Sequence, residues 1–354
     1  MDTRINIEKW KLLHEGTVIP AHPLALTKKK ELDERRQRAL TRYYMESGAG
    51  GVAVGVHTTQ FEIREPSINL YETVLRLTAE EVNHARLNKP FLKIAGICGP
   101  TDQALTEATL AKELNYDMGL VSMGGLHLTE KEHLERIMEI ATIIPVFGFY
   151  LQPSVGGRTF SYEFWEQFAE IEGVCAVKMA PFNRYQTLDV VRAVCHSSRV
   201  DEIALYTGND DNIVIDLLTS YQFTVNGKNV SKPIVGGLLG HWAVWTSKAV
   251  QLFEDTKNMR GSQNLSPQIL TTATHVTDSN AALFDAAHHY KGCIAGINEV
   301  LRRQGLLAEN TCLNDHDRLS PGQSEEIDRI YEQYPHLTDD FFVSKNLEKW
   351  LSGR

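Results

Sequence analysis

Hydrophobic residues along the 354-residue chain gather into eight short runs, at 17–20, 51–56, 91–97, 118–123, 144–151, 174–180, 203–207 and 234–239. The runs are nearly continuous, without strict alternation, which is the pattern of strands buried on both faces of a parallel sheet. Amphipathic stretches separate them. Thr129 followed by Glu132 reads as a capping box, and Leu134, Ile137, Met138 and Ala141 then fall on one helix face. Thr78 with Glu81 reads as a second box, and Thr101-Asp102 leads into Ala104, Leu105, Ala108 and Ala111 in the same way. Eight strands alternating with helices predict a (β/α)8 barrel, a TIM barrel. A doubly wound open sheet would place a glycine-rich turn after its first strand, and the sequence there, AHPLALTKKK, has no glycine.

Beyond the eighth run the pattern is helical, at about 243–258, 281–304, 322–333 and 338–352, with no Pro/Gly-rich linker before it. Residues 1–242 are therefore expected to form the barrel that carries the active site. Residues 243–354 are expected to supply the last barrel helix and a helical C-terminal extension packed on the barrel. Asn209-Asp210-Asp211 and Asn314-Asp315-His316-Asp317 read as solvated turns.

Charge and composition narrow the function. The net charge is −9, with no long basic run, so neither nucleic acid nor an anionic membrane is an expected partner. No stretch approaches 18 uninterrupted apolar residues, and the N-terminus lacks a signal-peptide core, so a cytoplasmic location is expected. The five cysteines are odd in number and include no CxxC pair, which fits reduced thiols rather than disulfides or a zinc ribbon.

Lys178 then stands out, in the middle of the sixth run, Val174-Cys175-Ala176-Val177-Lys178-Met179-Ala180. A buried ammonium is costly unless it is paired or loses its proton, and burial lowers a lysine pKa. A neutral amine near the C-terminal end of a barrel strand is a nucleophile for a ketone. Its plain alternative is a lysine whose head reaches solvent or a carboxylate. Tyr150 ends the fifth run, where a phenol could shuttle protons to a carbinolamine. His57-Thr58-Thr59 ends the second run, where successive N–H groups and two hydroxyls suit a carboxylate.

Together these segments resemble the dihydrodipicolinate synthase / N-acetylneuraminate lyase family of class I aldolases, from about residue 16 to about residue 307. GTVIPAHPLALTKKKELD is similar to the family's first strand and following loop. His57-Thr58-Thr59-Gln60-Phe61 stands where the family has Gly-Thr-Thr-Gly-Glu. Tyr150-Leu151-Gln152-Pro153 resembles its Tyr-Asn-Val-Pro, Lys178 follows Tyr150 by 28 residues, and Thr207-Gly208-Asn209-Asp210 resembles its Ser-Gly-Asp-Asp turn. The resemblance implies that Lys178 forms an imine with a 2-oxo acid such as pyruvate or a keto-deoxy sugar acid, with no other cofactor. It implies that Tyr150 is the acid/base group, that Thr58 and Thr59 hold the carboxylate, with Thr58 also in the proton relay, and that the chain forms a homo-oligomer, a tetramer or dimer. His57, Gly208 and His241 fall at the same end of the barrel and are candidate substrate-binding residues. Two departures stand against dihydrodipicolinate synthesis itself. The loop after the fourth run, Ser122-Met123-Gly124-Gly125-Leu126-His127, lacks the synthase tyrosine pair, and Gln60-Phe61 replaces Gly-Glu. The loop SVGGRT is also longer than in the synthases, and its Arg158 is a candidate for a second carboxylate or a sugar-acid oxygen.

His22, His57, His127 and His241 all fall just after strand ends, which raises a rival reading, a metal-dependent hydrolase with a histidine cluster. No HxH pair occurs on the first strand to favour it, and no metal is expected. A barrel that binds a metabolite without catalysis is the remaining alternative. The expected activity is an aldolase-type lyase or dehydratase acting on a 2-oxo acid.

Overall fold

A computed structural model describes residues 2 and 4–353. The eight apolar runs all become strands: β1 (Val18–Pro20), β2 (Gly51–Val54), β3 (Leu92–Ile97), β4 (Met118–Ser122), β5 (Val146–Leu151), β6 (Val174–Ala180), β7 (Ala204–Thr207) and β10 (Gly236–Leu239). Every residue in them is buried. They pair in parallel in the order β1-β10-β7-β6-β5-β4-β3-β2. The parallel bridge Ala21↔Ala53 joins the two end strands, and His22 N donates to Ala53 O at 2.8 Å. The sheet thus closes into a barrel, which leaves no edge for another chain to pair with.

Two apolar layers follow from the strand pleat. Ile19, Ala53, Ile94, Leu120, Phe147, Phe149, Ala176 and Leu238 fill the barrel, while Val18, Val54, Val121, Tyr150, Val177, Met179 and Leu205 pack outward against the helices. The Thr129–Glu132 capping box forms as expected, with reciprocal bonds of 3.2 and 2.7 Å. Thr78–Glu81 does not form one. The helix starts at Tyr71, so Thr78 lies buried in its middle, and Glu81 instead takes Arg38 and Arg42.

Between β7 and β10 the structure has elements that the hydrophobic runs did not predict. A short helix, Ile213–Leu218, leads into an antiparallel hairpin of β8 (Ser220–Val225) and β9 (Lys228–Pro233). Its turn is Asn226-Gly227, both with positive φ (50° and 77°), the backbone that a two-residue hairpin turn requires. The C-terminal helices are Thr246–Met259, Gln268–Leu283, Cys293–Arg303, Gln323–Gln333 and Asp340–Ser352. The helix expected over 281–304 is in fact broken at 284–292, where Asp285, His289 and Tyr290 adopt positive φ. These helices share the outer core of the barrel. Tyr43 meets Trp350 at 5.4 Å between ring centroids and donates to Asp339 at 2.8 Å. No helix among the described residues is long and apolar enough to cross a membrane.

Candidate active site

A cavity of about 60 Å³ lies at the C-terminal end of the barrel strands, and Lys178 opens into it. Strand parity sets the arrangement. On β6, Ala176, Lys178 and Ala180 face inward, while Val177 and Met179 face the helices. Phe149 is the register partner of Lys178 on β5, and Lys178 Nζ lies 4.4 Å from the centroid of its ring. Gly208, after β7, gives the lysine stem its room: a Cβ at that position would come within 2.5 Å of Lys178 Cε and 2.9 Å of Ala180 Cβ. Lys178 Nζ makes no hydrogen bond or ion pair among the described residues, although the side chain is only 8 % exposed. Burial lowers its pKa to about 8, opposed by the Asp210 carboxylate and the Cys293 thiol.

Asp210 lines the same cavity, a placement the sequence reading did not single out. Its turn was expected to be solvated, yet Asn209 and Asp210 are buried and Asp210 lines the cavity. Burial raises its carboxyl pKa to about 7, with the Lys178 ammonium and the His241 backbone N–H pulling the other way. The His241 N–H donates to Asp210 Oδ1 at 3.1 Å. The buried Asp216 carboxylate fixes the rest of the turn, accepting from Thr207 Oγ1 at 2.7 Å and from the side-chain amides of Asn209 and Asn212 at 3.0 Å. The likeness of Thr207-Gly208-Asn209-Asp210 to the Ser-Gly-Asp-Asp turn was the signal available in the sequence.

His57 and Thr58 both line the cavity. The backbone N–H groups of these two residues meet no acceptor among the described residues, and Thr58 Oγ1 makes one long bond, 3.3 Å, to His22 O. Burial, with the Lys178 ammonium adding to it, lowers the His57 pKa to about 4, so the ring is neutral near pH 7. Thr59 serves a different purpose. Its hydroxyl donates to His22 O at 2.6 Å and accepts from Gly55 N and Val56 N, which uses it up in holding the turn. It is not free to bind a substrate carboxylate.

The structure places three further candidates outside the cavity lining. Tyr150 lies one residue beyond Phe149, so the pleat turns it out of the barrel, where it packs 4.9 Å from Trp165 and 6.1 Å from Phe160. Its phenol is buried without a well-formed hydrogen bond and does not line the cavity. Arg158 is held at the rim, donating to Leu128 O at 2.6 Å with its guanidinium 4.9 Å from the Phe160 ring centroid, so it does not line the cavity either. His241 contributes its backbone N–H to Asp210, while its ring packs against Trp245 at 6.0 Å.

The four histidines do not converge. His22 is fully buried, bonded to Pro23 O at 2.8 Å and Thr41 Oγ1 at 2.9 Å, and His127 is exposed. Among the described residues no group of three His, Cys, Asp or Glu side chains is placed to hold a metal ion. The C-terminal segment, by contrast, roofs the cavity: Phe284 and Tyr290, in the break between two helices, and Cys293 all line it.

No family model and no curated protein matches the sequence. Solved structures do match its fold. Dihydrodipicolinate synthase from Oceanobacillus iheyensis superposes with a TM-score of 0.74 at 16% identity, covering 92% of this chain and 99% of that one. N-acetylneuraminate lyase from Fusobacterium nucleatum, complexed with pyruvate, gives 0.69 at 15% identity, covering 92% and 99%. The N-acetylneuraminate lyase of Mycoplasma synoviae gives 0.66 at 17% identity, covering 93% and 99%. The chain therefore carries the fold of the dihydrodipicolinate synthase / N-acetylneuraminate lyase family.

Proposed function

We propose that the protein is a class I aldolase-type lyase that binds a 2-oxo acid as an imine on Lys178. The observation that carries this reading is a desolvated lysine without a direct partner among the described residues, opening into a cavity at the C-terminal end of a barrel. A lysine with a pKa near 8 is partly neutral at cellular pH and attacks a ketone. The imine then withdraws electrons from C2, so that C3 can lose a proton and become an enamine. The N–H groups of His57 and Thr58, with the Thr58 hydroxyl, would hold the carboxylate.

With Tyr150 turned away, the proton-transfer role passes to Asp210. Burial raises its carboxyl pKa, so Asp210 exchanges protons closer to neutral pH than an ordinary carboxylate does. It would protonate the departing hydroxyl of the carbinolamine and then take the C3 proton. Solved structures of the same fold include a lyase complexed with pyruvate, which supports the choice of a 2-oxo acid as substrate.

The test is reduction with borohydride in the presence of pyruvate, followed by peptide mass analysis. A pyruvyl adduct on Lys178 is expected, and Lys178→Ala should abolish both adduct and turnover while the protein stays folded. Turnover by a folded Lys178→Ala variant would refute imine catalysis.

A further inference from the structure

The side chains that line the cavity and its mouth bear on what reacts with the imine. About 60 Å³ is roughly five times the ~10–15 Å³ needed to hold one water. A molecule the size of pyruvate fills that volume, so a partner meets its C3 at the mouth, among the side chains that line it there. Apart from Lys178, Asp210, His57, Thr58 and Gln152, the wall is apolar or aromatic, and among the described residues no arginine or second lysine lines it. Arg158, the arginine singled out in the sequence, is already bonded to Leu128 O.

The C-terminal segment builds much of this wall. Phe284 packs directly over the end of β10, where a Cβ on Gly240 would lie 3.0 Å from Phe284 Cζ. Tyr290 meets Phe182 edge to face at 5.7 Å, and both hold positive φ (66° and 52°), backbone that aims the two rings at one another across the mouth. A polyhydroxylated chain placed against Phe149, Phe182 and Phe284 would bury hydroxyls without partners. A short hydrocarbon chain would not.

Resting on the Lys178 imine, we infer that the enamine's partner is a short apolar aldehyde, selected by the wall that Phe284 and Tyr290 bring from the C-terminal extension. Lys178 and pyruvate form the imine with loss of one water, and C3 loses a proton to give the enamine. C3 then bonds to the aldehyde carbon, and the aldehyde oxygen takes a proton to become a hydroxyl. Hydrolysis of the imine consumes one water and releases a 4-hydroxy-2-oxo acid and free lysine. No oxidant or reductant is needed.

The experiment offers the wild-type chain pyruvate with propanal, benzaldehyde or glyceraldehyde, reads the products by mass, and runs borohydride trapping on the same preparation. Propanal should react about 10-fold or more faster than glyceraldehyde, the scale on which apolar pockets discriminate. Phe284→Ala should enlarge the site and raise the benzaldehyde-to-propanal ratio by about 10-fold, and the milder Phe284→Leu should move it the same way if the alanine variant does not fold. A trapped Lys178 adduct with glyceraldehyde preferred, or with no product from propanal, overturns this inference alone. No adduct at all overturns the imine reading and this inference with it.

Discussion

Lys178 and Asp210 set each other's protonation, and the signs can be tested separately from turnover. Burial pushes the lysine pKa down while the Asp210 carboxylate pushes it up. Asp210→Asn removes the opposing charge, so Lys178 should become neutral at lower pH. The pH at which borohydride trapping reaches half its maximal rate should therefore be lower in the variant than in the wild type. Turnover should drop by ~10²-fold or more if Asp210 moves the protons. A trapping profile that stays in place would separate Asp210 from Lys178. Tyr150→Phe should leave turnover well above a ~10²-fold loss, because the phenol lies on the wrong face of β5. Lysine in an apolar run is a signal any sequence displays. The side to which Tyr150 points is not, because one residue of register inverts a strand's faces. Here the pairing Phe149↔Lys178 puts Phe149 beside the lysine and Tyr150 beside the outward-facing Met179.

Two turns carry the site at the level of elements. The turn after β7 places Gly208 beside the lysine, so Gly208→Ala should displace Lys178 Cε and suppress trapping in a protein with unchanged circular dichroism. Trapping at the wild-type rate would show that the contact at 2.5 Å is relieved elsewhere. The turn after β2 depends on Thr59, whose hydroxyl makes three bonds to backbone. Thr59→Val should cost about 2–3 kcal/mol of stability, since buried backbone groups lose their partner. A urea midpoint equal to the wild type would contradict that. The eight strands and the Thr129 cap were legible because local periodicity and capping chemistry decide them. The Asn226-Gly227 hairpin signal was also present in the sequence. It was missed because β8 and β9 lie exposed on the surface and form no apolar run.

For the whole molecule, burial of histidine predicts sensitivity to acid. His22 and His241 are both held neutral, with pKa values lowered to about 4 by desolvation. In the unfolded chain such a ring titrates near 6.5, so between the two values the unfolded state binds more protons. Stability is therefore complete above about pH 6.5 and is lost as the pH falls toward 4. His22, with no exposure at all, should contribute a loss on the order of 3 kcal/mol across that window. The urea midpoint at pH 4.5 should lie well below that at pH 7, and equal midpoints would count against these buried neutral rings.

The sequence alone determined the barrel, since eight doubly buried strands alternating with helices have few other ways to hide their apolar faces. It also singled out Lys178, because a charge inside an apolar run calls for an explanation. Only the tertiary structure decided what surrounds that lysine. Asp210 reads as a polar turn until the helix Gln268–Leu283 packs over it, with Thr277 donating to Asp211 O and Asn280 to Asp210 O. Phe284, Tyr290 and Cys293 lie more than 100 residues from Lys178 in the chain, and no local pattern reports contacts at that separation. Burial, and with it each shifted pKa at the site, is a property of what packs around a group.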